Sequence, residues 1–195
     1  MTTRSAVPVP RLAGLGVGVL ITLTTVTAPS TAQQPLSPVE IRVARSASEN
    51  ARADTLEARA RAMYSTPRWY REAARLHRRA AVIRGSDPRS VASFRSAAWL
   101  YSVAGSNGIA RSMMEQAAER ATAVGDVEGA ANSYIDAAFL AIASSREDQV
   151  PRLLSRTRAV LSSPLLTEDR RRSILQRVGG SPQLARLDSA DRATP

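Results

Sequence analysis

The stretch PRSVASFRSAAWLYSVAGSNGIARSMMEQAAERATAVG, residues 88–125, decides the fold. It begins after Asp87, a capping oxygen placed before a proline whose missing N–H costs nothing in a first helical turn. Phe94, Ala97, Ala98 and Tyr101 then recur at the 3.6-residue period and fall on one helical face. Gly105 ends that run, Asn107 is a cap candidate for the next, and Gly125 ends the second. Glycine is the residue that closes a helix in a left-handed conformation at least steric cost. Two short helices joined by a tight turn follow, with small residues in the contact stripe so that their backbones approach closely.

The same punctuation extends along the chain. Ser37-Pro38 and Thr66-Pro67 repeat the cap-before-proline signal, Asp126 and Thr167 are further cap candidates, and Gly85 and Gly179-Gly180 are further stops. Glu168 and Asp169 suit the positive end of a helix dipole. These signals predict helices over 38–64, 67–84, 88–104, 108–123, 127–144, 147–161 and 168–178. Trp69, Ala73, Leu76, Ala80 and Ile83 form one apolar stripe; Tyr134, Ala137, Ala138 and Ala141 form another, forty residues after its counterpart in the opening stretch. Val150, Leu153, Leu154, Val160 and Leu161 line the helix that follows. No segment alternates apolar and polar residues long enough to argue for a sheet. The expected fold is all-α, an antiparallel helix-hairpin array of six to seven helices.

Alanines, an aromatic and a turn glycine at this spacing resemble the tetratricopeptide repeat, a helix-turn-helix unit that stacks into a right-handed superhelix. In the clearest unit, from about Val91 to Thr122, Ala97 and Ala98 fall at the family's leucine and small residue. Tyr101 falls at its tyrosine, Gly105 at the turn, and Ala110 and Ala117 at the small positions of the second helix; Met114 stands where an aromatic is usual. A preceding unit matches through Ala60, Tyr64, Ala73 and Ala80, with His77 at the aromatic position and Arg61 in place of a small residue. A third begins near Asn132 and matches through Tyr134, Ala137 and Ala138, with Val150 and Thr157 replacing alanines. The resemblance spans residues 50–161. It implies a concave groove lined by the first helix of each pair, with Arg95, Trp99, Asn132, Ile135 and Phe139 facing it. Aromatic and arginine anchors dominate such contacts, and the implied ligand is a peptide segment or helix of another protein. A second reading stays open, in which Trp99 and Phe139 are core residues wedged against a neighbouring helix.

Ahead of this array, Arg4 and Arg11, an apolar run from Leu12 to Ala28 and Ser30-Thr31-Ala32 have the form of a signal peptide over 1–32. The apolar run is shorter than the roughly 20 residues of a spanning helix. The expectation is an exported protein, periplasmic or extracellular and soluble once the signal is cleaved; retention of the segment as an anchor is the alternative. Residues 33–49 then lead into the first helix, 50–178 form the repeat domain, and 179–195, rich in Ser, Pro, Gln, Arg and Asp, read as a flexible tail with room for a short helical piece.

The chain has no cysteine, which excludes a lipoprotein anchor, a disulfide framework and a thiolate site. Its formal charge is +10, and its basic residues other than His77 are all arginine. Most are scattered among acids at helical spacing, but Arg170, Arg171 and Arg172, with Arg177, form a basic cluster. Such a cluster either docks an anionic envelope surface, lipid headgroups or acidic polysaccharide, or is the solvated side of a capping helix whose Ile174, Leu175 and Val178 close the stack. No nucleic-acid partner, cofactor or metal is expected. Catalysis is not expected either: His77 stands alone and reads as an edge-of-core residue. Glu115 and Glu119 lie beside Arg111 and Arg120 in an ion network, and Gly14, Gly16 and Gly18 fall inside the signal segment.

Overall fold

A computed structural model describes the backbone of residues 38–185 and the side chains of 46–185. The signal segment and the last ten residues of the tail lie outside the described residues. Among the described residues the helices α1 Pro38–Ala62, α2 Tyr70–Arg84, α3 Arg89–Val103, α4 Asn107–Ala123, α5 Val127–Ala143, α6 Val150–Leu161 and α7 Glu168–Gly179 follow one another. Short 3-10 turns, Pro67–Trp69 and Glu147–Gln149, lead into α2 and α6. No strand occurs among the described residues. From α1 to α6, each helix packs chiefly on its neighbours in the chain, and α7 returns to α5.

Three of the turns share one construction, spaced twenty residues apart. Gly105, Gly125 and Ser145 each adopt positive φ, at 72°, 79° and 54°. The N–H of the next residue reaches back to the carbonyl of Tyr101, Ala121 or Ala141, at 2.7 to 2.8 Å. The left-handed residue itself donates to the carbonyls of Ser102, Thr122 or Ile142. These paired bonds satisfy carbonyls that a helix end otherwise leaves open. Gly85, also at positive φ, ends α2 with a different bond pattern. The expected stop at Gly179-Gly180 does end α7, but without the left-handed closure: Gly180 is right-handed, with φ −71°.

The caps divide in the same way. The side chains of Asp126 and Thr167 accept from the backbone of Gly129 and Arg170, and Asp87 Oδ1 accepts from Arg89 N at 2.8 Å. Thr66 makes no capping bond, and Asn107 is the first residue of α4 with its amide turned elsewhere. Asn107 Nδ2 donates to Ala143 O at 3.1 Å, and Ser102 Oγ to Asn107 Oδ1 at 3.3 Å, tying the ends of α3 and α5 to the start of α4.

The core is made from alanine. Ala73, Ala97, Ala98, Ala117, Ala137, Ala138 and Ala141 are wholly buried, with Phe94, Leu100, Met113, Tyr134, Leu153 and Leu154 filling the space between them. Small contact residues let helix axes approach to about 8 Å. Each large apolar side chain so buried contributes roughly 1.5–3 kcal/mol. Trp69 departs from its expected place in the stripe: it sits in the turn before α2, half exposed. The packed body also extends past the expected boundary at residue 179. Residues 182–185 are helical and Leu184 is fully buried beside Ile174 in the same apolar cluster.

Candidate functional site

Trp99 and Phe139 stand out of the core, 53% and 37% exposed, on the faces of α3 and α5 opposite their alanine stripes. They line one shallow concavity of about 170 Å³, together with Ala98, Ser102, Met114, Asp136 and Leu140. Helices α3 and α5 form its sides, and Met114 of the intervening α4 contributes to its lining. Trp99 also closes an aromatic row, its ring centroid 6.1 Å from Tyr64 and 6.4 Å from Tyr70. Edge-inclined rings at these distances stabilise one another and hold the indole in place.

The other residues expected in the groove fare differently. Ile135 is fully buried and belongs to the core, a correction that follows from helix geometry. At 100° per residue, counted from the centre of the alanine stripe, Ile135 lies about 110° round whereas Asp136 and Phe139 lie about 150° to either side, so those two face away from the core and Asp136 takes the lining position. Asn132 is partly buried and accepts from the Arg177 guanidinium, whose other nitrogen pairs with Asp136 at 2.9 Å. Arg95 is partly exposed, one turn before Trp99, outside the concavity's lining. The angle of Asp136 from the alanine stripe was the available signal for the missed lining residue.

The basic cluster near the C-terminus is committed within the molecule. Arg170 pairs with Glu128, Arg172 with Asp169 and Arg177 with Asp136. Arg171 pairs with Glu168 and donates to the carbonyl of Leu161 at 2.8 Å, closing the α6–α7 connection. Ile174 is buried beneath them. Glu115 and Glu119 are likewise tied across helices, to Arg152 at 2.7 Å and Arg156 at 3.1 Å, with Arg111 at 3.4 Å from Glu115. Arg120, the expected neighbour of Glu119, is not its partner.

His77 is no edge residue. It is buried, with Tyr64 Oη 2.5 Å from Nε2 and the Glu57 carboxylate 3.9 Å from Nδ1. Glu57 binds the buried guanidinium of Arg84 through both carboxylate oxygens, Ser93 Oγ donates to it at 2.5 Å, and Asp54 takes the second arm of Arg84. Burial opposes the charge of Glu57, but hydrogen bonds from Arg84 and Ser93 outweigh it and hold the carboxyl below its ordinary range. Burial pushes His77 down, which keeps the imidazole neutral. The cluster joins α1, α2 and α3.

A larger apolar hollow of about 370 Å³ lies among Thr122, Gly125, Val127, Ala159, Val160, Ser163 and Leu165. Its two hydroxyls are engaged locally, Thr122 to the carbonyl of Ala118 and Ser163 with the amide of Leu165, leaving little to orient a ligand. The Trp99 concavity combines aromatic, sulfur and carboxylate groups and is the better site.

Among the described residues the protein is all-helical, with Trp99 and Phe139 exposed on one concavity. No protein-family model, curated protein or solved structure matches the chain.

Proposed function

We propose that this protein is a non-catalytic interaction module that holds an apolar peptide segment or a helix of another protein against Trp99 and Phe139. The reading rests on one observation: two large aromatic side chains, forty residues apart in sequence, stand exposed on a single concavity. Large exposed aromatics are costly to leave in water and mark contact sites when grouped. Met114 and Leu140 supply adaptable apolar surface beside them, and Asp136 with Arg177 a polar rim. In this reading the helices wind as a tetratricopeptide-like right-handed superhelix with α3 and α5 on the inner curve, and the protein acts outside the cytoplasm after removal of residues 1–32. Among the described residues no helix is long and apolar enough to cross a membrane.

The test is selection of peptides from a random display library on the wild-type protein, followed by titration of Trp99→Ala and Phe139→Ala. Peptides of the proposed kind bind wild type and lose at least tenfold with either variant, while circular dichroism stays unchanged. They also persist when salt is raised tenfold, because apolar contacts are not screened. Selected peptides that bind both variants as tightly as wild type, or that salt releases, overturn the reading.

A further inference from the structure

We infer that the outward face of α2 docks on an anionic lipid surface. Arg68, Arg71, Arg75, Arg78, Arg79 and Val82 recur at three- and four-residue steps, and all are exposed. On a helix about 22 Å long, that spacing makes one continuous stripe. Unlike the cluster on α7, this stripe is poorly neutralised. Glu72 pairs with Arg75 at 3.1 Å, Arg71 makes a 3.4 Å bond to Ala104 O, and no carboxylate among the described residues holds Arg78 or Arg79. Of the two arginine runs in the sequence, Arg170-Arg171-Arg172 is therefore paired within the fold and Arg78-Arg79 is not.

Charge calls for a polyanion, and the remaining side chains select the kind. Trp69, half exposed under the guanidinium of Arg68 at 5.2 Å, stands at one end of the stripe, and Val82, 60% exposed, at the other. Tryptophan partitions to the level of lipid headgroups, where arginine side chains extend their guanidinium groups to phosphate. Arginine alone pairs with nucleic-acid phosphate and guanine as well, so it is the exposed Trp69 and Val82 that favour lipid, and duplex DNA is an outcome of the test. A rigid helix side presenting cations between two apolar ends matches a flat charged bilayer. This surface does not involve Trp99 or Phe139, and its test is independent of the groove.

Co-sedimentation with vesicles decides it, using phosphatidylcholine alone and phosphatidylcholine with about one-third phosphatidylglycerol. The full chain is used, so residues 12–28 contribute equally in every arm, and the readout is the gain in binding on adding anionic lipid. Each arginine near such a surface strengthens binding roughly fivefold, so Arg78→Ala with Arg79→Ala lowers the gain by roughly twenty-five-fold. Trp69→Ala lowers it less, and Arg170→Ala with Arg172→Ala leaves it within about twofold of wild type. Salt raised tenfold removes most of the gain. A gain that survives the Arg78 and Arg79 changes, that falls equally with the Arg170 and Arg172 changes, or that is absent while duplex DNA or heparin binds, overturns the proposal. Both altered arginines are exposed and unpaired, so circular dichroism is expected to match wild type in every variant.

Discussion

Arg177 on α7 reaches back to Asp136 on α5, Nη2 to Oδ1 at 2.9 Å, and so places a C-terminal cation on the rim of the Trp99 concavity. Both partners are partly exposed, and a pair in that setting contributes under about 1 kcal/mol. What fastens α7 is Ile174, buried with Leu184 against the second half of the core. Arg177→Ala is therefore expected to lower the unfolding free energy measured in urea by less than about 1 kcal/mol, whereas Ile174→Ala costs about 2–4 kcal/mol. Hydrogen exchange separates the two further: Ile174→Ala accelerates α7 amides well ahead of those in α3. Equal losses from both substitutions would show that the ion pair, and not burial, holds α7.

Glu57 and Arg84 make the opposite case. The guanidinium is buried and both carboxylate oxygens bind it, so neutralising the acid leaves a desolvated charge with Asp54 as its one remaining carboxylate among the described residues. Breaking a buried pair on one side costs about 3 kcal/mol or more. Glu57→Gln is expected to destabilise by about that amount in urea denaturation. Replacing both residues together, Glu57→Gln with Arg84→Met, recovers part of the loss, because the unpaired charge is gone. A double variant less stable than the single one would contradict this account.

The sequence announces its helix ends better than its contacts, and the reason is local chemistry. Proline, a capping oxygen or glycine acts within a few residues, so α2 through α7 fall within two or three residues of their expected limits, and α1 within two at its C-terminal end. Ser145 escaped because serine gives no sign of the left-handed state, although its twenty-residue distance from Gly125 repeats the earlier interval. Arg177 with Asp136, Arg156 with Glu119 and Arg84 with Glu57 join residues 27 to 41 positions apart, and no local pattern encodes them. Hence the buried surroundings of His77 and the partners of the C-terminal arginines went unread while the alanine stripes did not. At the site, positions off the stripe left Trp99 and Phe139 open between groove and core, and only their exposure in the structure takes them out of the core. Ile135 was not legible as core, because one residue's rotation separates the core from the concavity.

The left-handed turn residues permit a paired test. No atom outside the immediate chain crowds a Cβ at Gly105, so Gly105→Ala costs only the backbone strain of positive φ, about 1 kcal/mol. Ser145 already bears that strain, and Ser145→Gly relieves it, less the added freedom of glycine in the unfolded chain; the expected gain is up to about 1 kcal/mol. Thermal midpoints moving in opposite directions, down for the first and up for the second, are the expected result. Two shifts of the same sign would deny that the turns share one construction.

The Tyr64, His77 and Glu57 cluster sets how stability responds to acid. In the unfolded chain His77 gains a proton as pH falls through about 6.5. In the fold, burial keeps it neutral to lower pH, and the charges of Arg61 and Arg84 act in the same direction against the opposing pull of Glu57. The unfolded state therefore binds more protons in this window, and stability drops as the medium is acidified. Glu57 adds to the fall lower down: its carboxyl, held below the ordinary value of 4.5, stabilises the fold fully above that value and progressively less beneath it. Urea midpoints measured at about pH 7.5, 5.5 and 4 are expected to fall at both steps. His77→Gln, which removes the titrating ring, flattens the first step and leaves the second. A first step that persists unchanged in His77→Gln would assign the acid sensitivity to another group and remove His77 from the account.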